Sequence, residues 1–222
     1  MDPNERETTS RAASIAVERD AERLTAAALD DPDPRVRAVA LAALVRVGPQ
    51  RSSAPVWRRA AHDSDAAVRR RAAEVAPTLG RAAPCAVLLE LLADDDTWVA
   101  EAAAYAIGEH PHASRAAIGA LVRCATAHDD PLVRESAVAA LGVHGDPTTL
   151  PAVLAACDDK PAIRRRAVLA LAAFDGDEVE ARLQLATTDP DWQVRQAAED
   201  LLAFTADDDT APDDTTPDDT TP

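Results

Sequence analysis

Six segments of the chain repeat one pattern in register, and nothing else in the sequence constrains the fold as strongly. Set on a β-branched residue, they align at Val36, Val68, Val99, Val133, Ile163 and Val194, with spacings of 32, 31, 34, 30 and 31 residues. Four residues after each anchor stands Ala40, Ala72, Ala103, Ala137, Ala167 or Ala198, an unbroken column. Eight after it stands Leu44, Ala76, Ile107, Leu141, Leu171 or Leu202. Residues four and eight apart share one helical face, so every segment carries an amphipathic helix with its apolar stripe in the same register. We call it helix B.

The start of helix B is written as plainly. Three residues before the anchors stand Asp33, Asp65, Asp96, Asp130, Lys160 and Asp191, and Pro34, Pro131 and Pro161 follow three of them. An Asp carboxylate accepts hydrogen bonds from the orphan amides of a first turn, and Pro at the next position loses no bond there. Asp33, Asp65, Asp96, Asp130 and Asp191 are therefore expected to be helix caps, with Asp158 or Asp159 standing in beside Lys160. A second Ala-rich stretch, helix A, precedes each turn, for instance at 86–93, 118–127 and 150–157. Gly48, Gly80, Gly108, Gly142 and Gly176 read as left-handed caps that end the B helices.

Two helices per unit of about 32 residues, joined by short turns, cannot bury their faces alone and must stack. Composition agrees: of 222 residues 52 are Ala and only 3% are aromatic, so a core has to come from closely packed helices. The expected fold class is all-α, an α-solenoid of about six two-helix repeats. Its expected bounds are 9–204, between a disordered N-terminus at 1–8 and a disordered acidic tail at 205–222, where Pro-Asp-Asp-Thr-Thr recurs.

The run Asp-x-Asp-Pro-x-Val-Arg-x-x-Ala-x-x-Ala-Leu, present from Asp31 to Leu44 and in degenerate form from Asp63, Asp94, His128, Asp158 and Asp189, resembles the HEAT-like repeat of the phycobilisome lyase type. The resemblance implies an α-solenoid with helix B on the concave face. It does not imply one function, since such repeats occur in bilin lyases, hydroxylases, DNA-repair enzymes and plain scaffolds.

The charge sum removes several classes. With 39 acidic and 23 basic side chains the net charge is −16, which opposes binding to nucleic acid or to an anionic membrane. Asp over Glu and Arg over Lys at these ratios resembles proteins of salt-loving archaea, whose acidic surfaces stay soluble in molar potassium chloride. The polar N-terminus reads as no signal peptide, and no apolar run reaches ~18 residues, so a cytoplasmic monomer is expected. Cys85, Cys124 and Cys157 form no CxxC and read as reduced thiols packed on helices.

Three sets of residues are candidates for function. One past each anchor stand Arg37, Arg69, Arg134, Arg164 and Arg195, with Ala100 in the third place; a phosphate stripe would fit this spacing, but at the flank of the apolar stripe the row is expected to be a structural ladder reaching turn aspartates of the adjacent repeat. Two and six past the anchors lie positions turned away from the apolar stripe. There Arg70, Glu74, Glu101, Tyr105, Glu135, Arg165 and Leu169 make a mixed ridge with an aromatic anchor, suited to a helix or peptide of another protein. Glu199 and Asp200 fit a polar terminal cap. His110 and His144, eleven past their anchors, form with Glu109, His112 and Asp146 the third set, a possible loop-edge metal site. The His-Glu pairs by which HEAT-like hydroxylases hold iron are missing, and no catalytic Cys/His pairing or phosphate loop is present. Trp57, Trp98 and Trp192 read as packing over turns. The expected function is a non-enzymatic protein-binding scaffold or adaptor without a cofactor, working on the concave B face. A role in regulation or signalling, taxis among them, is conceivable from the resemblance alone. The alternatives are a HEAT-like enzyme or lyase subunit holding a metal or tetrapyrrole, and a nucleic-acid-binding HEAT protein.

Overall fold

The computed structural model describes residues 28–47 and 50–208. The segment 1–8, most of the first expected helix A, Gly48 and the tail beyond 208 lie outside the described residues. Within them the chain forms eleven α-helices and no strand. In chain order these are α1 (Pro34–Val47), α2 (Gln50–Ala61), α3 (Ala66–Leu79), α4 (Cys85–Leu92), α5 (Thr97–Gly108), α6 (Arg115–Ala127), α7 (Pro131–His144), α8 (Leu150–Ala156), α9 (Pro161–Ala170), α10 (Asp177–Ala186) and α11 (Trp192–Asp208). Short 3₁₀ turns follow α3 and α9 and precede α8. No helix among the described residues is long and apolar enough to cross a membrane.

The odd-numbered helices are the B helices, and each packs on the next: α1 on α3, α3 on α5, α5 on α7, α7 on α9, α9 on α11. The A helices α2, α4, α6, α8 and α10 form the second layer, each against the B helix that follows it. The core runs between the layers as one continuous cluster. Anchor residues Val68, Val99, Val133, Ile163 and Val194 are all buried, as is the whole Ala column behind them. Val36 is the exception at 39% exposed, on the end helix of the described stack. Trp57 on α2 is buried too and donates its indole N–H to the carbonyl of Ala72 at 2.7 Å, tying A to B within one repeat.

The helix starts have a chemical cause. The side chains of Asp65, Asp96, Asp130 and Asp191 accept hydrogen bonds from the amides of Ala67, Trp98, Leu132 and Gln193 at 2.8–3.0 Å, and Asp33 does the same for Arg35. Pro34, Pro131 and Pro161 open their helices. Lys160 offers no side-chain cap to α9, and Asp159 accepts from its amide instead.

The helix ends differ from expectation. Gly80, at φ +52°, does cap α3. Gly142 instead lies inside α7, which continues to His144 and is capped by Gly145 at φ +57°. Gly108 is the last residue of α5, with Glu109 as its cap, and Gly176 opens α10 rather than ending α9. Glycine at 108 and 142 has a packing reason. A Cβ on Gly108 would lie 2.9 Å from the Cβ of Ala140, and one on Gly142 would lie 2.7 Å from the Cβ of Ala170. The last helix also runs to Asp208, past the expected limit at 204, because the first helix breaker after its anchor is Pro212.

The Arg row is a set of rungs between repeats. Arg69 Nε and Nη2 donate to the two carboxylate oxygens of Asp94 at 2.6 and 2.8 Å, while Nη1 donates to the carbonyls of Asp63 and Ser64. Arg37 makes the same fork with Asp63, Arg134 with Asp159, and Arg164 with Asp189. Arg195 holds the carbonyls of Asp189 and Pro190 and forks to no carboxylate among the described residues. Each guanidinium holds its partner carboxyl below the usual carboxylate range, at Asp63, Asp94, Asp159 and Asp189. At four junctions the turn thus clamps its own backbone and the next turn's carboxylate with a single planar cation.

One rung is missing, and both of its halves are replaced. Ala100 stands where the third Arg would be and is fully buried; His128 stands where its acceptor Asp would be. His128 Nδ1 accepts from the amide of Asp130 at 3.1 Å, as Asp94 does from Asp96 at 3.0 Å. The imidazole keeps the turn but cannot replace the bridge. On the A side of this junction an open cleft of about 540 Å³ separates α4 from α6, lined by Leu92, Asp94, Cys124 and His128 among others. Burial pushes the Cys124 thiol up, which leaves it less reactive than a free cysteine.

Candidate functional site

The B layer is the tighter of the two, since Gly108 and Gly142 let α5, α7 and α9 approach almost backbone to backbone. Closer spacing on one side bends a two-layer ribbon toward that side, which is the sense expected for a concave B face. On that face small side chains leave space between helices. Between α5 and α7 lies a groove of about 330 Å³, with Tyr105, Leu132, Ala139 and Val143 as its apolar lining and Glu101, Glu109, Glu135 and Arg166 around it. Between α7 and α9 a second groove of about 370 Å³ is lined by Val143, Leu169, Ala172, Ala173 and again Ala139 and Arg166. Sharing three residues, the two grooves make one apolar track over three successive repeats.

The large side chains on this track are open to solvent: Tyr105 is 53% exposed, Val143 63% and Leu169 36%. Its charged groups fall into two kinds. Glu135 is paired with Arg166 Nη2 at 3.6 Å. Glu101 receives only the Ser136 hydroxyl, at 3.5 Å, and neither it nor Glu109 makes an ion pair among the described residues. Glu101 and Tyr105 on α5 and Glu109 at its C-cap follow one another at four-residue spacing, so the ring lies between two carboxylates without an ion pair along one helical stripe.

The candidate ridge is thus divided. Glu101, Tyr105 and Glu135 line the first groove and Leu169 the second. Arg70 and Glu74 lie on α3, outside both, and are bound to each other at 2.8 Å; Glu74 also takes Arg71 at 2.6 Å. The Arg70 guanidinium sits 5.1 Å from the centre of the Trp98 ring, so Trp98 is 53% exposed under a cation instead of packed over its turn. Trp192 is exposed as well. Arg165 is exposed on α9 and lines neither groove, whereas its neighbour Arg166 lines both.

Val143, Leu132 and Arg166 are the largest side chains of the lining, besides Glu109, that the two surface columns leave out. Val143 is ten past its anchor, on the same side of the helix as position six, but counts only if α7 continues through Gly142. Reading Gly142 as a terminus places Val143 in a loop and hides it.

The histidines are held by backbone. His110 is buried; its Nε2 is 3.1 Å from the carbonyl of Ala83, and its Nδ1 accepts from the His112 amide and lies 3.4 Å from Cys85 Sγ. His144 Nε2 is 2.9 Å from the carbonyl of Ile107. Each ring therefore ties its loop to the preceding repeat. Among the described residues no three His, Cys, Asp or Glu side chains are grouped to hold a metal ion.

Comparison with known proteins places this architecture. A family model described as HEAT repeats matches residues 21–108, 85–171 and 118–203. No curated protein matches the sequence. Among solved structures the chain is similar to YibA of E. coli, at 16% identity and a TM-score of 0.62, covering 87% of this chain and 76% of that one. It is similar to the complex of CpcE and CpcF of phycocyanin lyase from Nostoc sp. PCC7120, at 21% identity and a TM-score of 0.61, covering 82% and 75%. It is also similar to a designed armadillo repeat protein in complex with the peptide (KR)4, at 17% identity and a TM-score of 0.58, covering 81% and 97%. At these identities the likeness is one of fold.

Proposed function

The chain belongs to the HEAT-repeat family, and on that premise we propose that it is a non-enzymatic scaffold that receives a segment of another protein on its B-helix face. The observation that carries this reading is the continuous apolar track over α5, α7 and α9, with Tyr105, Val143 and Leu169 exposed along it. Large apolar side chains in adjoining grooves gain by leaving water, at about 25 cal/mol per Å², and an aromatic anchor in a groove is a favoured binding hot spot. Close packing at Gly108 and Gly142, with the Arg134 fork to Asp159, holds that surface in one shape, so little ordering is needed when a partner binds. The finer reading is a cytoplasmic, monomeric adaptor in regulation or signalling. The likeness to a designed repeat protein solved with a peptide supports peptide binding as a use of such a fold.

The test is affinity capture with three forms of the chain: wild type, Val143→Arg in the track, and Leu185→Arg on the exposed side of α10. A partner that is retained by wild type and by Leu185→Arg but lost with Val143→Arg supports the reading. A partner retained by all three sinks it.

A further inference from the structure

The track has a chemical polarity that specifies its occupant. Its α5 end presents an exposed aromatic ring between two carboxylates that no cation of the described residues neutralises, Glu101 and Glu109. Toward α9 the lining becomes uncharged, with Val143, Leu169, Ala172 and Ala173, and Arg166 already has Glu135 as its partner. Building on the scaffold reading, we infer that the segment received there carries an Arg or Lys side chain for the α5 end and an apolar side chain for the groove beside Leu169.

The chemistry at the α5 end is specific for a cation. A guanidinium or ammonium over the face of Tyr105 is attracted by the ring, and carboxylates one helical turn to either side complete its charge. An acidic segment would meet repulsion from both Glu101 and Glu109. A purely apolar one would cover these two carboxylates without replacing their water. Spacing adds a constraint. The first groove lies between α5 and α7 and the second between α7 and α9, so a cation in the one and an apolar anchor in the other sit one helix spacing, about 8–10 Å, apart along the segment. In an extended polyproline-type chain at about 3.1 Å per residue, two side chains three residues apart match that distance and share one face. The same segment would lie across the helices, along the length of the solenoid.

The experiment uses the full chain and three fluorescein-labelled nonapeptides read by fluorescence polarisation. The first is Gly-Ser-Arg-Pro-Pro-Leu-Ser-Gly-Ser; the others carry Gln or Glu in place of its Arg. Titrations run at 0.15 M and 1 M potassium chloride, because at 1 M diffuse attraction to an acidic protein is screened within about 3 Å. The Arg peptide is expected to bind about tenfold more tightly than the Gln peptide at both salt levels, and the Glu peptide least. Glu101→Gln/Glu109→Gln should erase the difference between the Arg and Gln peptides, while Glu178→Gln/Glu180→Gln on α10 should keep it. Leu169→Ala should weaken the Arg and Gln peptides by the same factor. Equal binding of the Arg and Gln peptides to wild type, with both lost in Val143→Arg, overturns the basic occupant and leaves the groove reading standing. Arg-peptide binding that survives both Val143→Arg and Leu169→Ala overturns the two together. An Arg peptide that does not bind wild type overturns the basic occupant outright.

Discussion

Replacing Gly142 by Ala inside α7 tests the close packing of α7 on α9. In an ordinary helix interior this change stabilises, because Ala is favoured over Gly by about 1 kcal/mol. Here the new Cβ would lie 2.7 Å from the Cβ of Ala170 and 2.9 Å from its Cα, and the second is a backbone atom that moves only with α9. Forcing an extra methyl into a close-packed interface costs about 1–3 kcal/mol, and contact with backbone puts this case at the upper end. The net expectation is a loss of about 1–2 kcal/mol. Gly119 supplies the control. It lies within α6, and a Cβ there would meet only Arg123 Nη1 at 3.8 Å, so Gly119→Ala should stabilise by about 0.5–1 kcal/mol. Urea denaturation followed by circular dichroism at 222 nm compares the two, with the slope of each transition watched because a solenoid need not unfold as one unit. Opposite signs at positions 119 and 142 are the expected result. If Gly142→Ala stabilises as much as Gly119→Ala, then α7 and α9 are not in near-backbone contact, and the argument for the shape of the B face fails with it.

Two further outcomes concern the rungs. Asp63, Asp94, Asp159 and Asp189 are held below the usual carboxylate range by their arginines, so their contribution is present in full above the unfolded value near pH 4 and is lost as pH falls through the lowered folded values. The stability difference between wild type and Arg134→Ala should accordingly be largest at neutral pH and shrink on acidification; a difference that is flat from pH 6 to pH 2.5 would mean that the forks do not act through the charged carboxylate. The missing rung can be rebuilt with Ala100→Arg and His128→Asp. A double-mutant cycle should give a favourable coupling of about 1–2 kcal/mol, with slower amide exchange in α4 and α6, and a coupling of zero would show that this junction differs from the others by more than its two side chains.

The repeat was legible in the sequence because burial and capping are local in their demands. A Val, an Ala and a Leu four residues apart must share a helical face, and an Asp before a Pro marks a first turn wherever the chain goes next. The Arg row was readable as a structural ladder from its place at the flank of the apolar stripe, but the partner of each rung was not. Only stacking brings Arg69 onto Asp94, 25 residues away, and closes the fork. The tertiary structure alone decided which glycines end helices. Gly80 and Gly142 follow similar Ala-rich turns, but the first takes a left-handed conformation and the second is pressed against Ala170. That difference lengthens α7 by one turn and places Val143 between Tyr105 and Leu169. The same long-range packing separates Arg70, which Glu74 and Trp98 occupy, from Glu101 and Glu109, which nothing among the described residues neutralises. Periodicity fixes the face on which a residue stands. Whether that residue is left free to meet another molecule depends on the neighbouring repeat, and only the stacked helices bring that neighbour into place.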